Sequence, residues 1–550
     1  MPPASPRAAL LIAALTLPWL WPFTSGPTAA TQPYLMAMAL AAVALALWPA
    51  RDPEAGARRA ATAWLAAAAV SAAIALLQYL DLETPLFPWV NVAEPRQAFG
   101  NLRQPNQLAS LLVIGALALR WQVQQGRLAR RPAAALLALL MAALAATASR
   151  LGLVALLAVL ALVWWWARAD RIARRSAVAT AGRRAEWPTL AAALGLYALA
   201  VLALPWLAQA LGVAEGRDML ARLRDDSASC GSRWVLWRNV LHLIALKPWL
   251  GWGWGELDYA HYITLYPGAR FCYILDNAHN LPLHLAVELG VPAALLAGAL
   301  LAALLWRARP WRAQTPTRQL AWGVLAVVGL HSGVEYPLWY APFQIAAVIA
   351  AWLLWATRES RVPVIPARAG SQLSSPAPSL DARPTPSRGR ALRGNDGVER
   401  ASAGSPVVWP QALLAALLLA AVAYAGWDYH RVSQLYLPAS QRAAAYQDDA
   451  WDAARRSWLF ADVVRFAEVT SQPVTRDNAA WMLPAALRTL HFSPEARVAT
   501  RVIESAALLG RDELALAHLA RFKAAFPQAH RAWAEANAAH RPATNAPTAQ

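Results

Sequence analysis

Apolar residues in this chain run in long unbroken blocks rather than alternating with polar ones. Eleven blocks approach the roughly 20 residues a helix needs to cross a bilayer. They span residues 8–24, 33–49, 60–80, 106–121, 132–148, 150–167, 188–211, 281–305, 320–335, 341–357 and 408–427. Blocks of that length predict helices rather than strands. The pattern therefore predicts an all-α polytopic membrane protein with about eleven transmembrane helices. The first block follows Arg7 and precedes small residues, as a cleaved signal peptide does, but the many later blocks favour a first membrane helix.

Three polar regions interrupt or follow the blocks. Residues 213–280 form a large loop inside a core that spans 1–357. Residues 358–407 are rich in Pro, Ser, Gly and Arg, cannot bury a core, and read as a disordered linker ahead of the last block. From 428 to 550 the pattern becomes amphipathic, and "LLGRDE" reads as a turn between two helices of one tetratricopeptide-like hairpin.

Composition agrees: the 550 residues are 58% hydrophobic with mean hydropathy +0.31. The net charge of +18 raises nucleic acid as a partner. The arginines argue against it, because they cluster in alternate connections: 51–59, 120–131, 168–184, 307–318 and 358–400. With eleven spans all of these lie on one side, as the positive-inside rule requires of the cytoplasmic face. The N-terminus is then cytoplasmic, and the 213–280 loop and the tail lie outside.

Arginines on the outer side need another reason. Arg103 lies in "GNLRQPNQLAS", Arg150 in "TASRLGL" and Arg233 in "CGSRWVLWRNV". A planar guanidinium suits phosphate through bidentate, charge-assisted bonds; the structural alternative is snorkelling to lipid headgroups. Gln104, Asn106 and Gln107 can form a polar rim for a sugar or peptide, or simply cap the fourth helix. In "DNAHNLPLHLAVELG", Pro282 suits a first helical turn, which puts His279 and Asn280 at its N-terminus. The positive end of a helix disfavours imidazolium, so His279 stays neutral and can accept a proton. His284 lies ~140° further round such a helix, which excludes a zinc pair with His279, and at four residues' spacing it pairs with Glu288. Glu335, Tyr336 and Tyr340 lie in a short outer connection, "HSGVEYPLWYAPF".

No P-loop, nucleotide fingerprint or metal-spaced Cys/His set is present, so neither cofactor nor metal is expected. Asp225 and Asp226 are adjacent acids in an Arg-rich loop and read as solvated. Few ionisable groups lie mid-block, which gives a proton-relay transporter little support.

At these motifs the chain resembles the PglL-type bacterial protein O-oligosaccharyltransferases, within the O-antigen ligase and polymerase superfamily. The resemblance is carried by "QPNQLASLL", "TASRLGL", "SRWVLW…KPWLGWGWG", "DNAHNLPLHLAVELG" and "HSGVEYPLWYAPF", in order over about 95–430, and by "YHRVSQLYLP" at the start of the tail. It implies an inner-membrane enzyme that transfers a preassembled glycan en bloc from undecaprenyl diphosphate to Ser or Thr hydroxyls of periplasmic proteins such as pilins. His279 matches the family's essential histidine, the candidate base. Arg150 and Arg233 match arginines implicated in holding the diphosphate, and Tyr336 or Tyr340 corresponds to a functional tyrosine. An O-antigen ligase acting on lipid A core, an O-antigen polymerase and a non-catalytic transporter are the rival readings. The chain's two cysteines, Cys230 and Cys272, both fall in the outer loop, and an oxidising periplasm lets them pair.

Overall fold

The computed structural model describes residues 5–175, 187–216, 219, 230–313, 315–358 and 409–539. Asp225, Asp226 and nearly all of the 358–407 linker lie outside them. The described residues form helices joined by turns, with no strand among them. In chain order these are α1 (Pro6–Leu20), α2 (Thr31–Leu47), α3 (Pro53–Tyr79), α4 (Pro105–Gln124), α5 (Arg130–Ala146), α6 (Arg150–Arg175) and α7 (Trp187–Ala210). Next come α8 (Arg233–Leu246), α9 (Leu257–Ile263), α10 (Leu281–Leu289), α11 (Val291–Ala308), α12 (Pro316–Ser332), α13 (Ala341–Ala356) and α14 (Trp409–Ser433). The tail holds α15 (Ala450–Arg455), α16 (Ala461–Ser471), α17 (Ala479–Thr489), α18 (Ala496–Leu508), α19 (Asp512–Ala525) and α20 (Pro527–Ala539).

Five of the described helices (α3, α6, α7, α11 and α14) are long and apolar enough to cross a membrane, and α1, α2 and α13 are shorter apolar helices. None of α11 is buried: Leu295, Leu296, Leu300, Leu301 and Leu304 are 57–68% exposed. An all-apolar exposed helix is stable only against lipid or another apolar surface. Together these helices make the chain a multi-pass membrane protein.

The core is built on α3. Its small residues, among them Ala57, Ala60, Ala61, Ala67 and Ala68, let neighbouring helices approach closely. A Cβ on Gly115 of α4 would lie 2.3 Å from the Ala68 Cβ, so that crossing needs glycine. Helix ends pair at two poles. At one, Thr317 donates to Glu54 at 2.8 Å and Arg120 to Gln319 at 2.8 Å. At the other, Tyr429 donates to the Ser25 carbonyl at 2.8 Å, and Asn106 to Glu335 at 3.2 Å.

The expected eighth span, 281–305, is not continuous. It breaks into α10 and α11 at Gly290, whose φ is +89°. The segment 248–253 packs backbone-to-backbone there. Trp252 N–H donates to the Val287 carbonyl at 2.9 Å, Gly253 N–H to Glu288 at 3.0 Å, and Val291 N–H to Pro248 at 2.8 Å. A Cβ on Gly290 would lie 2.1 Å from the Trp249 carbonyl oxygen. The polar half carrying "HNLPLHLAVEL" thus belongs to the loop, and the apolar half forms the membrane-length helix.

The loop has its own small core of Leu236, Val240, Leu243, Leu257, Phe271, Leu275 and Val287. Cys230 and Cys272 form a disulfide across it, with Cα atoms 5.4 Å apart. The tail packs around Met482, Leu490, Val498, Val502 and Phe522. Gly510, at φ +66°, makes the turn between α18 and α19. The tail docks on the loop through α9: Tyr262 bonds His518 at 3.1 Å, and Arg521 donates to the Ile263 carbonyl at 2.9 Å. His491 stacks on Tyr259 at 3.7 Å and meets Glu256 at 2.7 Å.

Candidate active site

Four helix N-termini converge on one carboxylate. Pro105 opens α4, and Asn106 behind it donates to Glu335 Oε1 at 3.2 Å. Ser149, ahead of α6, donates to Asn106 Oδ1 at 2.6 Å and accepts from Gly152 N–H at 2.9 Å, which sets Arg150 at the helix start. Ser232 caps α8, and the next residue, Arg233, donates through Nη2 to Glu335 Oε1. Asn280 caps α10 by accepting from Leu283 N–H at 3.0 Å, while its Nδ2 donates to the Gly333 carbonyl at 2.9 Å. Helix N-termini carry partial positive charge, so the convergence favours an anion.

His279 stands just before that cap, with left-handed backbone, φ +48°. Its N–H donates to Asn277 Oδ1 at 2.8 Å, and Trp237 holds the Ala278 carbonyl at 3.1 Å. Its Nδ1 lies 2.7 Å from Glu335 Oε2. Against an ionised carboxylate the ring proton sits on Nδ1, which leaves Nε2 as an acceptor. Burial foremost, and then the Arg233 guanidinium, push the His279 imidazole down to about 4. The imidazole is therefore neutral at neutral pH, and Glu335, which also accepts from Arg233 and Asn106, orients it. A base oriented by a carboxylate is the arrangement that removes a proton from a weak nucleophile.

The rest of the site closes around this pair. The Tyr336 ring is 4.9 Å from the His279 ring, edge to face, and Tyr340 stacks behind Tyr336 at 5.9 Å. Burial foremost, with Tyr340 and Asp276, pushes the Tyr336 hydroxyl up, so it remains a donor. Burial also lowers the Arg233 guanidinium, with Tyr336 opposing and Arg150 adding to the effect; Arg150 is thus an electrostatic neighbour of Arg233.

The structure brings together His279, Asn280, Arg233, Asn106, Glu335, Tyr336 and Tyr340, with Arg150 beside them. Three expected residues have other partners. Arg103 donates to the Pro22 carbonyl and, at 3.4 Å, to Asn91, bracing the α1–α2 connection. Gln104 caps α4 by accepting from Gln107 N–H at 2.6 Å, and Gln107 is buried. For Gln104 the capping alternative describes the contact seen. The expected pair His284–Glu288 lies buried with 3.4 Å between Nε2 and Oε2. Ser149 and Trp237 were not singled out in the sequence. Ser149 had no signal beyond its neighbour Arg150, and the bond from Trp237 spans 41 residues.

The family described as "O-Antigen ligase" matches residues 133–298. "Protein glycosylation ligase" matches 98–121, and "Virulence factor membrane-bound polymerase, C-terminal" matches 319–379 and 390–540. A "General O-oligosaccharyltransferase" of Acinetobacter baylyi (strain ATCC 33305 / BD413 / ADP1) is 25% identical over 286 residues, which is 51% of this chain and 47% of that protein. The chain therefore spans about half the length of the curated relative it matches. The resemblance read from the motifs is borne out by these matches.

Proposed function

Taking the chain as a PglL-type protein of the O-antigen ligase and polymerase superfamily, we propose that it transfers a preassembled glycan from undecaprenyl diphosphate to Ser or Thr hydroxyls of periplasmic proteins such as pilins. The reading rests on one observation above the rest: His279 Nδ1 on Glu335, with Arg233 on the same carboxylate. His279 Nε2 takes the proton of the acceptor hydroxyl as its oxygen attacks C1 of the glycan. The bond from C1 to the phosphate oxygen breaks, and the lipid diphosphate leaves with the electron pair. Arg233, Arg150 and the surrounding helix N-termini stabilise that developing charge. The Tyr336 hydroxyl and Asn280 position the reactants, and Glu335 stabilises the imidazolium that forms.

Such a donor and acceptor meet only at the outer face of the bacterial inner membrane. The alternating arginine loops supply the orientation: N-terminus cytoplasmic, loop and tail periplasmic. The contact between the tail and α9 supports placing both on one side. The test is transfer by purified full-length protein from a lipid-diphosphate glycan to a pilin-like peptide, read as a mass shift. Transfer only to lipid A core assigns a ligase. Chain extension of the lipid-linked glycan assigns a polymerase, and no transfer to any of the three overturns the enzymatic reading.

A further inference from the structure

Beside the His279 centre lies a second constellation that the transfer step does not use. Trp254 and Trp339 stack with centroids 6.4 Å apart, and neither is covered by the rest of the chain, at 63% and 39% exposed. The His284 ring meets them edge-on, at 5.9 Å from Trp254 and 5.1 Å from Trp339. His284 is buried; its Nε2 faces Glu288, and its Nδ1 has no hydrogen-bond partner. A buried polar atom left unpaired is unfavourable, so it calls for an explanation.

The constellation is tied to the reaction centre. Trp339 is 6.4 Å from Tyr336, which is 4.9 Å from His279, so a line of rings leads outward from the base. Trp254 is carried by the turn whose Gly253 N–H bonds the Glu288 carbonyl. Gly253 and Gly255 on either side are at φ +113° and +78°, a tight turn that sets the Trp254 ring against the His284 ring.

A ligand for this place needs an apolar face for the indoles and a polar edge for the buried imidazole. A sugar ring has both, with C–H groups on its face and hydroxyls at its rim. An isoprenoid would cover the indoles and leave His284 unpartnered. We propose that Trp254 and Trp339, over His284, form a sugar-binding subsite for a ring of the glycan beyond the one that reacts. The inference deepens the transferase reading and rests on it.

The test uses full-length protein in nanodiscs carrying His279→Ala, so that no turnover occurs. The probes are an isoprenyl diphosphate bearing three N-acetylhexosamines and the same lipid bearing one. The protein with both tryptophans intact should bind the three-sugar probe about tenfold more tightly. Trp254→Ala and Trp339→Ala should each erase that difference and leave the one-sugar affinity unchanged, while Trp254→Phe and Trp339→Phe keep most of it. Equal binding of the two probes with both tryptophans intact, or an equal loss for both probes in the alanine variants, overturns the subsite. A Trp-dependent preference in a protein whose native form transfers no glycan leaves the subsite standing and removes the transferase reading.

Discussion

In the reaction we propose, His279 and Glu335 act as one unit, because the imidazole is useful only in the tautomer the carboxylate selects. His279→Ala should abolish transfer while leaving membrane insertion intact. Glu335→Gln, which keeps shape and loses charge, should lower turnover by roughly 10²- to 10⁴-fold. Activity within twofold of wild type for His279→Ala in a glycan-transfer assay would remove the base from His279. The pH profile follows from the lowered pKa: the base works unprotonated, so activity is lost as pH falls through that value. The acid limb of kcat/KM should have its midpoint near 4, against about 6.5 for an ordinary histidine. Arg150→Lys and Arg233→Lys keep charge and lose the planar fork, so each should weaken donor binding by about tenfold. Unchanged donor affinity in both would return these arginines to lipid-headgroup roles. The motif around His279 was legible in the sequence, since a histidine before a helix-opening Pro is a local pattern. Its partnership with Glu335, 56 residues on, was not.

Among elements, the break at Gly290 separates α10, which follows His279, from the membrane-length helix α11. Gly290→Ala places a Cβ against the Trp249 carbonyl in a backbone region costly to any L-residue, about 1–3 kcal/mol before the clash is counted. The melting temperature of purified Gly290→Ala should fall, and a melting curve identical to wild type would mean that segment 248–253 does not pack there. The disulfide belongs to the same loop. Chain-entropy arithmetic for the separation of 42 residues gives roughly 4 kcal/mol at most. Cys230→Ser and Cys272→Ser should therefore lower thermal stability and reduce transfer, because the bridge ties the Arg233 segment to the strand of chain leading to His279. Helix existence was readable from the blocks, whereas this break was not: apolar periodicity does not register a glycine required by a backbone packed from 40 residues away.

Across the whole molecule, the helix ends gather at two poles, and the site, the loop and the tail share one of them. A reporter fused after Arg400 should behave as cytoplasmic and one after Gln550 as periplasmic. The same side for both would overturn the eleven-span topology. The tail is fastened at two places. The buried pair Asp428–Arg431 reaches Leu459 N–H and the Arg456 carbonyl at the end of α14, and α19 docks on α9.

The sequence by itself determined the helical class, the approximate place of each apolar helix, the clustering of arginine in alternate connections and the motif holding His279. These are local or additive properties, set by runs of side chains and by turn chemistry within a few residues. Only the tertiary structure decided which of the polar residues lie together. Asn106, Arg233 and Glu335 come from segments more than a hundred residues apart, and Arg103, two positions from Pro105, faces a different partner. Which side chains meet depends on how α4, α6, α8 and α10 pack around the 333–340 connection. Spacing along a chain carries no record of that packing.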